Sequence, residues 1–398
     1  MSVRKRTWTT ADGEAREAWV TAYTDAKGVR RLKTFARKKD ADAFAATAHV
    51  EVRQGVHVAD SASVTVKAAA DMWLTSAEAT GLERSTIAQY GQHVRLHIDP
   101  FIGATKLSAL SIPLIREFED RLRADGRSPA MARKVLVSLG TLIADAQERG
   151  LAARNPIRDL RVRRGGKERR AERRQKGKLK VGVDIPHPDE VRAIVGALEG
   201  RWRPLLLTAI FTGLRASELR GLRWSCIDLE RRELRVEQRA DRFNEIGAPK
   251  SESGARAVPL PPLVANALKA WKLACPKGEL DLVFPNASGG VESHHAIRSR
   301  GLIPAQLRAG VTIATGQVDP EGKPVVVAKY TGLHALRHFY ASWSINRVAD
   351  GGLGLPLKVV QERMGHASVV MTADVYGHLF PNGDDGQELA AAERALFG

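Results

Sequence analysis

Cysteine is scarce in this chain: Cys226 and Cys275 are the only two among 398 residues, and neither sits in a paired metal-binding motif. A disulfide framework is therefore not expected, which fits a reducing compartment. Long apolar runs are missing as well. The longest, around Leu205–Phe211, falls far short of the roughly 20 residues that a membrane-spanning helix needs. The opening Met1-Ser2-Val3-Arg4-Lys5-Arg6 has no apolar stretch behind it, so no secretory signal is read and a cytoplasmic location without membrane attachment is expected. No internal repeat is found. What the chain has in excess is positive charge: 62 Lys and Arg against 45 Asp and Glu, a net +17. Each cation that meets a phosphate releases counterions, so the excess points to a polyanionic partner, nucleic acid ahead of an anionic membrane surface. The hydrophobic fraction of 43% is that of an ordinary globular protein, and the length suggests two or three domains.

Pattern divides the chain into segments. Residues 1–58 read as a small β-rich module followed by a helix: Ala18–Tyr23 and Val29–Phe35 are strand candidates around a turn at Asp25–Gly28, and Ala41, Phe44 and Ala45 share a helix face. The strand face carrying Arg31 and Lys33 is either a DNA-docking surface or a solvated basic edge. Residues 63–160 read as a bundle of roughly four helices, one of them starting at Ser128-Pro129 and stopping at Gly150. Residues 161–184 read as a basic linker: from Arg161 to Lys180, eleven of twenty residues are Lys or Arg, including Arg169, Arg170, Arg173 and Arg174. Such a tether has no apolar period, yet it can lie against phosphates. Residues 185–398 form the longest globular stretch. It carries an apolar helix near Pro204–Phe211, a hairpin at Ile227–Val236, a strand at Ala255–Leu260, and helices elsewhere. A short amphipathic helix is expected from Gly386 to the end, packed on its own domain or on a neighbouring copy.

Three short segments carry the chemistry: Thr212-Gly213-Leu214-Arg215-Ala216-Ser217-Glu218-Leu219, then Leu333-His334-Ala335-Leu336-Arg337-His338, then Met364-Gly365-His366-Ala367-Ser368 running on to Val375-Tyr376-Gly377-His378. Thr212-Gly213 ends one helix, and Ser217 or Thr212 can cap the next. Glu218 stands three residues after Arg215 and can hold its guanidinium. His334 and Arg337, also three apart, share one helix face. Taken singly, each has an ordinary alternative: a surface arginine, a chance His-x-x-Arg, a tyrosine that only packs.

Together, in this order at the end of a basic chain, the segments resemble the signature of the tyrosine recombinase (phage integrase) family. The stretch Pro249-Lys250-Ser251-Glu252-Ser253-Gly254-Ala255-Arg256 is similar to the hairpin that bears the family's catalytic lysine, so Lys250 is assigned that place. The resemblance covers nearly the whole chain. It implies a mainly α fold with small β elements: a β-rich arm-site-binding module, a helical core-site-binding domain and a mostly α catalytic domain. It further implies cleavage and rejoining of double-stranded DNA attachment sites through a 3′-phosphotyrosine and a Holliday junction, by four protomers, with an accessory DNA-bending or directionality factor possible. An integrase of a prophage or integrative element is the expected role. Tyr376 is then the nucleophile, Lys250 the general acid, His334 a helper in deprotonating Tyr376, His366 a donor to the phosphate and Glu218 a support.

The chemistry is consistent with these residue types. A tyrosine hydroxyl with a reference pKa of about 10 needs help to lose its proton. The three segments hold no acidic cluster for a pair of metals, and no cofactor is expected. Arg215 and Arg337 can instead clamp phosphate oxygens with planar, permanently charged forks. Some features fall outside the pattern. Val311–Lys329 is long for a connection and suggests an inserted hairpin without an assigned role. His338 and His378 are read as structural, and His294-His295 as loop residues rather than metal ligands. The competing class is a non-catalytic DNA-binding or architectural protein of the same fold, which has no need of all six reactive residues.

Overall fold

The computed structural model describes residues 1–25, 28–160, 178–380 and 385–397, and divides into two compact units, residues 1–164 and 165–398. The basic residues Arg169, Arg170, Arg173 and Arg174 lie outside the described residues.

The first unit opens with an antiparallel sheet in the order β1 (Ser2–Thr9), β2 (Ala15–Thr24), β3 (Arg30–Phe35), followed by α1 (Lys38–Arg53). The first of these strands has no counterpart among the elements expected from the sequence. Alternation along the strands sends successive side chains to opposite faces. Thr21 donates to the Ala41 carbonyl at 3.1 Å, so the face with Trp19, Thr21 and Tyr23 is the one that α1 covers. Their register partners are Phe35, Lys33 and Arg31.

Arg31 and Lys33 therefore point toward the helix side. Arg31 pairs with Asp25 at 2.9 Å and reaches Ser61 at 3.1 Å. Lys33 pairs with Asp60 at 2.5 Å and lies over the Phe44 ring. Both tie the sheet to the segment behind α1. The opposite face carries Arg4 and Arg6, paired in register with Val20 and Ala18, together with Leu32 and Arg30.

Helices α2 (Val66–Ala79), α3 (Arg84–His93), α4 (Asp99–Ile102), α5 (Ile112–Ala124) and α6 (Pro129–Glu148) complete this unit, α3 and α4 being joined by a π turn at Val94–Ile98. Local chemistry sets the starts: the hydroxyls of Thr65, Ser111 and Ser128 each accept a backbone N–H in the first turn of α2, α5 and α6. Proline follows two of these caps, where its missing N–H costs nothing. Phe118, Ile115, Leu122, Leu139 and Leu142 are fully buried between the helices.

The second unit is mostly helical around small sheets. Helix α7 (Pro188–Gly196) precedes α8 (Trp202–Thr212), whose residues Pro204–Ile210 are all buried, as expected for a helix apolar all round. The short α9 (Ala216–Gly221) leads into a sheet in the order β4 (Ile227–Asp228), β5 (Glu233–Val236), β8 (Arg256–Pro259). In β5 Leu234 and Val236 point inward and Glu233 and Arg235 outward. A second hairpin, β6 (Arg239–Ala240) with β7 (Ile246–Gly247), lies between β5 and β8 in sequence. Then come α10 (Pro262–Ala274), α11 (His294–Ala296) and α12 (Ile303–Arg308), so His294 and His295 occupy a helical turn rather than a loop. The segment expected as an inserted hairpin forms one: β9 (Thr312–Val318) pairs with β10 (Pro324–Ala328). Last come α13 (His334–Ile345), α14 (Leu357–Met364), α15 (Val369–Tyr376) and α16 (Asp385–Phe397). Among the described residues no helix is long and apolar enough to cross a membrane.

Candidate active site

Two glycines place the two arginines. Gly213 ends α8 in the left-handed region at φ +63, and a Cβ there would meet Tyr340 Cδ1 at 2.3 Å. Gly365 ends α14 in the same way at φ +61, and a Cβ there would meet a guanidinium nitrogen of Arg256 at 2.8 Å. Both positions thus exclude a side chain by conformation and by space. Their carbonyls accept the guanidiniums. Arg337 donates to Gly213 and to Met364, each at 2.5 Å, and Arg215 donates to Gly365 at 3.0 Å.

Arg215 sits at the N-cap of α9. The cap is neither Thr212 nor Ser217: Glu218 reaches back, accepting the Arg215 backbone N–H at 2.8 Å and its guanidinium at 2.7 Å. Thr212 instead donates to the Thr208 carbonyl within α8. Glu218 is only 3% exposed and also takes both terminal nitrogens of Arg256, at 3.2 and 2.9 Å. Burial pushes its carboxyl up, but the hydrogen bonds and charge of Arg256, with Arg215, outweigh this and hold it below its usual range. Arg256 further donates to the carbonyls of Arg363 and Gly254 at 2.7 and 2.9 Å. It joins β8, α9 and the last turn of α14. Sequence reasoning does not single it out, although a lone charge in the strand Arg256–Pro259 is an available signal.

Arg337 is 2% exposed and its pKa falls to about 9, through burial first and the charge of Arg215 second. It remains a cation at neutral pH. Arg337 also approaches His366 Nε2 at 3.2 Å, while His366 Nδ1 lies 2.9 Å from the Thr372 hydroxyl. A guanidinium only donates, so Nε2 is the acceptor and the proton sits on Nδ1. Burial, then Arg337, lowers His366 to about 4, which keeps it neutral.

Tyr376 closes α15 and is 2% exposed. Its hydroxyl lies 2.8 Å from His338 Nδ1. Burial pushes the phenol up to about 12, against the lowering pull of Arg337 and Arg215. His334, one helical turn before His338, has its ring centroid 4.4 Å from that of His338. Among the described residues no hydrogen bond joins His334 to Tyr376. The bond to the phenol belongs to His338, a residue that the sequence pattern assigns only a structural part. Burial, then Arg337 and Arg215, lowers the pKa of His334 as well. His378 is structural: Nε2 donates to the Leu179 carbonyl at 2.7 Å.

Five of the six expected reactive residues, Arg215, His334, Arg337, His366 and Tyr376, thus form one contiguous cluster. Lys250 lies apart from it in bonding terms. It stands on the exposed loop between β7 and β8, with no hydrogen bond or ion pair among the described residues. What the arrangement offers chemically is two fixed cations, two neutral imidazoles and a protonated phenol, a set suited to an anionic phosphate with a nucleophile beside it.

A model of the phage integrase family matches residues 187–382. The chain is 27% identical over 383 residues to a tyrosine recombinase XerC-like protein of Caldanaerobacter subterraneus subsp. tengcongensis, covering 91% of this chain and 92% of that protein. It is 22% identical over 297 residues to the ICEBs1 integrase of Bacillus subtilis, covering 73% and 72%. Among solved structures, the Tn1549 transposon integrase in complex with a circular intermediate DNA superposes with a TM-score of 0.60 at 20% identity, covering 84% of this chain and all of that one. The lambda integrase tetramer bound to a Holliday junction gives 0.52 at 17%, covering 91% and 95%. At these identities the structural likeness is one of fold.

Proposed function

We propose, from the premise that the chain belongs to the phage integrase family of tyrosine recombinases, that it cuts and rejoins DNA attachment sites through a 3′-phosphotyrosine at Tyr376 to move an integrative element such as a prophage. The observation that carries this reading is the placement of the Tyr376 hydroxyl in the cluster that also holds Arg215 and Arg337. Phosphate oxygens would take over the guanidinium hydrogen bonds now made to Gly213, Met364 and Gly365. These forks stay charged throughout, and their pull grows with the charge on the phosphate.

In the cleavage step the phenol oxygen attacks phosphorus, the bond to the 5′ oxygen breaks, and Lys250, carried in on its loop, protonates the leaving oxygen. His334 would bind the phosphate and, as the resemblance implies, help the phenol lose its proton. His366 would donate to it through Nε2, which requires its proton to move from Nδ1; the Thr372 hydroxyl can then donate to Nδ1 instead of accepting. Glu218 supports Arg215 without reacting. The phosphotyrosine conserves the energy of the broken bond, so rejoining needs no nucleotide.

Four protomers would act through a Holliday junction, as family membership implies, on double-stranded DNA in the cytoplasm, with accessory bending or directionality factors. The helical residues 63–160 would hold the core site. The sheet of the first unit would hold an arm site through Arg4, Arg6 and Arg30, whose face α1 leaves open. The linker arginines Arg169, Arg170, Arg173 and Arg174 would add phosphate contacts.

The test is covalent trapping. Purified protein is mixed with nicked duplexes from the DNA flanking its own gene and run on a denaturing gel beside Tyr376→Phe. A slow band from the parent alone supports the reading. Tight binding with no band from any fragment favours the non-catalytic DNA-binding alternative.

A further inference from the structure

The buried hydroxyl of the nucleophile has one hydrogen-bond partner among the described residues, His338 Nδ1 at 2.8 Å. That imidazole is neutral, since burial and the charges of its neighbours bring it down to about 4. A neutral imidazole presents one donor and one acceptor nitrogen. If Nδ1 carried the proton, the phenol's own hydrogen would be left in a buried place without an acceptor, which folded proteins avoid. The hydrogen bond therefore runs from the Tyr376 hydroxyl to Nδ1, the direction in which a base must receive a proton. His334, on the same face one turn earlier, touches the His338 ring rather than the phenol.

We propose that His338 is a catalytic residue of strand cleavage, holding the Tyr376 hydroxyl and accepting its proton as the bond to phosphorus forms. The proposal rests on the reading of Tyr376 as nucleophile. The phenol oxygen bonds to phosphorus while its proton passes to His338 Nδ1. The bond from phosphorus to the 5′ oxygen breaks, and that oxygen takes a proton from Lys250. In rejoining, the 5′ hydroxyl gives its proton to Lys250, and His338 returns its proton to the departing phenol oxygen.

Timing follows from the two groups' resting states. With the phenol pushed up to about 12 and the imidazole down to about 4, transfer before attack is strongly uphill. The proton must leave during attack, when the oxygen's acidity rises. Arg337, one of the charges that depresses His338, is also a residue proposed to bind the phosphate. An incoming phosphodiester would offset that charge and raise the basicity of His338 by the part that Arg337 contributes, which is smaller than that of burial.

The test is single-turnover cleavage by the full chain on a nicked duplex that forms the adduct with the parent, made in two versions: an ordinary phosphodiester and a 5′-bridging phosphorothiolate. The sulfur leaving group needs no general acid. His338→Asn keeps an amide near the Nδ1 position but no titratable group. It should lose roughly 100-fold or more in rate on both substrates, with DNA affinity unchanged. Lys250→Ala should lose rate on the phosphodiester alone. Replacing Tyr376 by the more acidic 3-fluorotyrosine should restore part of the His338→Asn loss, a rescue that a purely structural role would not give. His338→Gln serves as a second variant should the asparagine form fold poorly. Cleavage by a folded variant within about threefold of the parent, or full rescue by the phosphorothiolate, overturns the proposal. Failure of the parent to form any adduct overturns the Tyr376 reading, and this proposal with it.

Discussion

Arg256 and Glu218 meet through two hydrogen bonds, at 3.2 and 2.9 Å, deep enough that their side chains are 6% and 3% exposed. The same carboxylate holds Arg215 at 2.7 Å. One buried anion thus fixes two cations, one proposed to bind phosphate and the other belonging to the strand that follows the Lys250 loop. Breaking a buried pair by removing one partner leaves an uncompensated charge and costs more than the pair contributes.

Arg256→Met should therefore destabilise the second unit by about 3 kcal/mol, within the usual range for a broken buried pair. It should also slow cleavage, because Arg215 loses the support of a fixed Glu218. Glu218→Gln should slow it further, since both arginines lose their anion. Chemical denaturation and single-turnover cleavage, read side by side, check this. A large loss of rate at unchanged stability would assign Arg256 a direct role on DNA.

The glycines give a sharper prediction. Gly365→Ala places a Cβ at 2.8 Å from Arg256 in a left-handed backbone, and Gly213→Ala places one at 2.3 Å from Tyr340. Each should cost roughly 1–3 kcal/mol. Each also shifts a carbonyl that anchors an arginine, so cleavage should fall by more than binding. Equal losses in both would mean that the carbonyls do not position the guanidiniums.

Much of this is legible in the sequence, and the limits have identifiable causes. The chemistry-bearing boxes lie on short, strongly punctuated segments, and their resemblance to the family's signature is what singles out Arg215, Arg337 and Tyr376. The run of apolar residues at Leu205–Phe211 and the Ser128-Pro129 start each produce the helix they announce. The faces of the N-terminal sheet cannot be read in the same way. In Arg30-Arg31-Leu32-Lys33 both faces carry cations, and only the pairing with β2 and the helix behind it decides which face is open. Likewise His334 and His338 are one turn apart on α13, and the resemblance names His334 as the helper of Tyr376 whereas the hydrogen bond is made by His338. The choice depends on how α15 packs, which no local pattern encodes. Arg256 escapes a sequence reading because its three anchors, Glu218, Gly254 and Arg363, are scattered along the chain.

The buried histidines set a pH dependence. His338 and His366 are lowered to about 4 by burial first, with neighbouring charges adding to it, and in the unfolded chain they would titrate near 6.5. Between these values the unfolded state binds more protons than the folded one, so stability rises with pH across the window and is lost as pH falls from about 6.5 toward 4. Tyr376 acts at the other end. Its folded value of about 12 exceeds the unfolded value of about 10, so stability should decline again above about pH 10. Denaturant midpoints from about pH 4 to 8 check the acid limb, and the slope should be shallower in His338→Asn. An unchanged slope there would mean that His338 is not the group being charged.

The last prediction separates the two faces of the N-terminal sheet. Arg31 and Lys33 are engaged with Asp25, Ser61 and Asp60, so replacing them with alanine should loosen the first unit while leaving its DNA affinity nearly intact. Arg4 and Arg6 lie across the sheet from α1, beside Val20 and Ala18, with no ion pair among the described residues. If that face meets an arm site, Arg4→Ala and Arg6→Ala should leave stability unchanged and weaken binding. For every phosphate that no longer meets a cation, the slope of log K against log salt should also become shallower by about 0.9. Binding isotherms at several salt concentrations, beside melting curves for all four variants, read both quantities. A reduced salt slope for the Arg31 and Lys33 variants alone would reverse the assignment of the faces. It would imply that DNA competes successfully with Asp25 and Asp60 for those two cations.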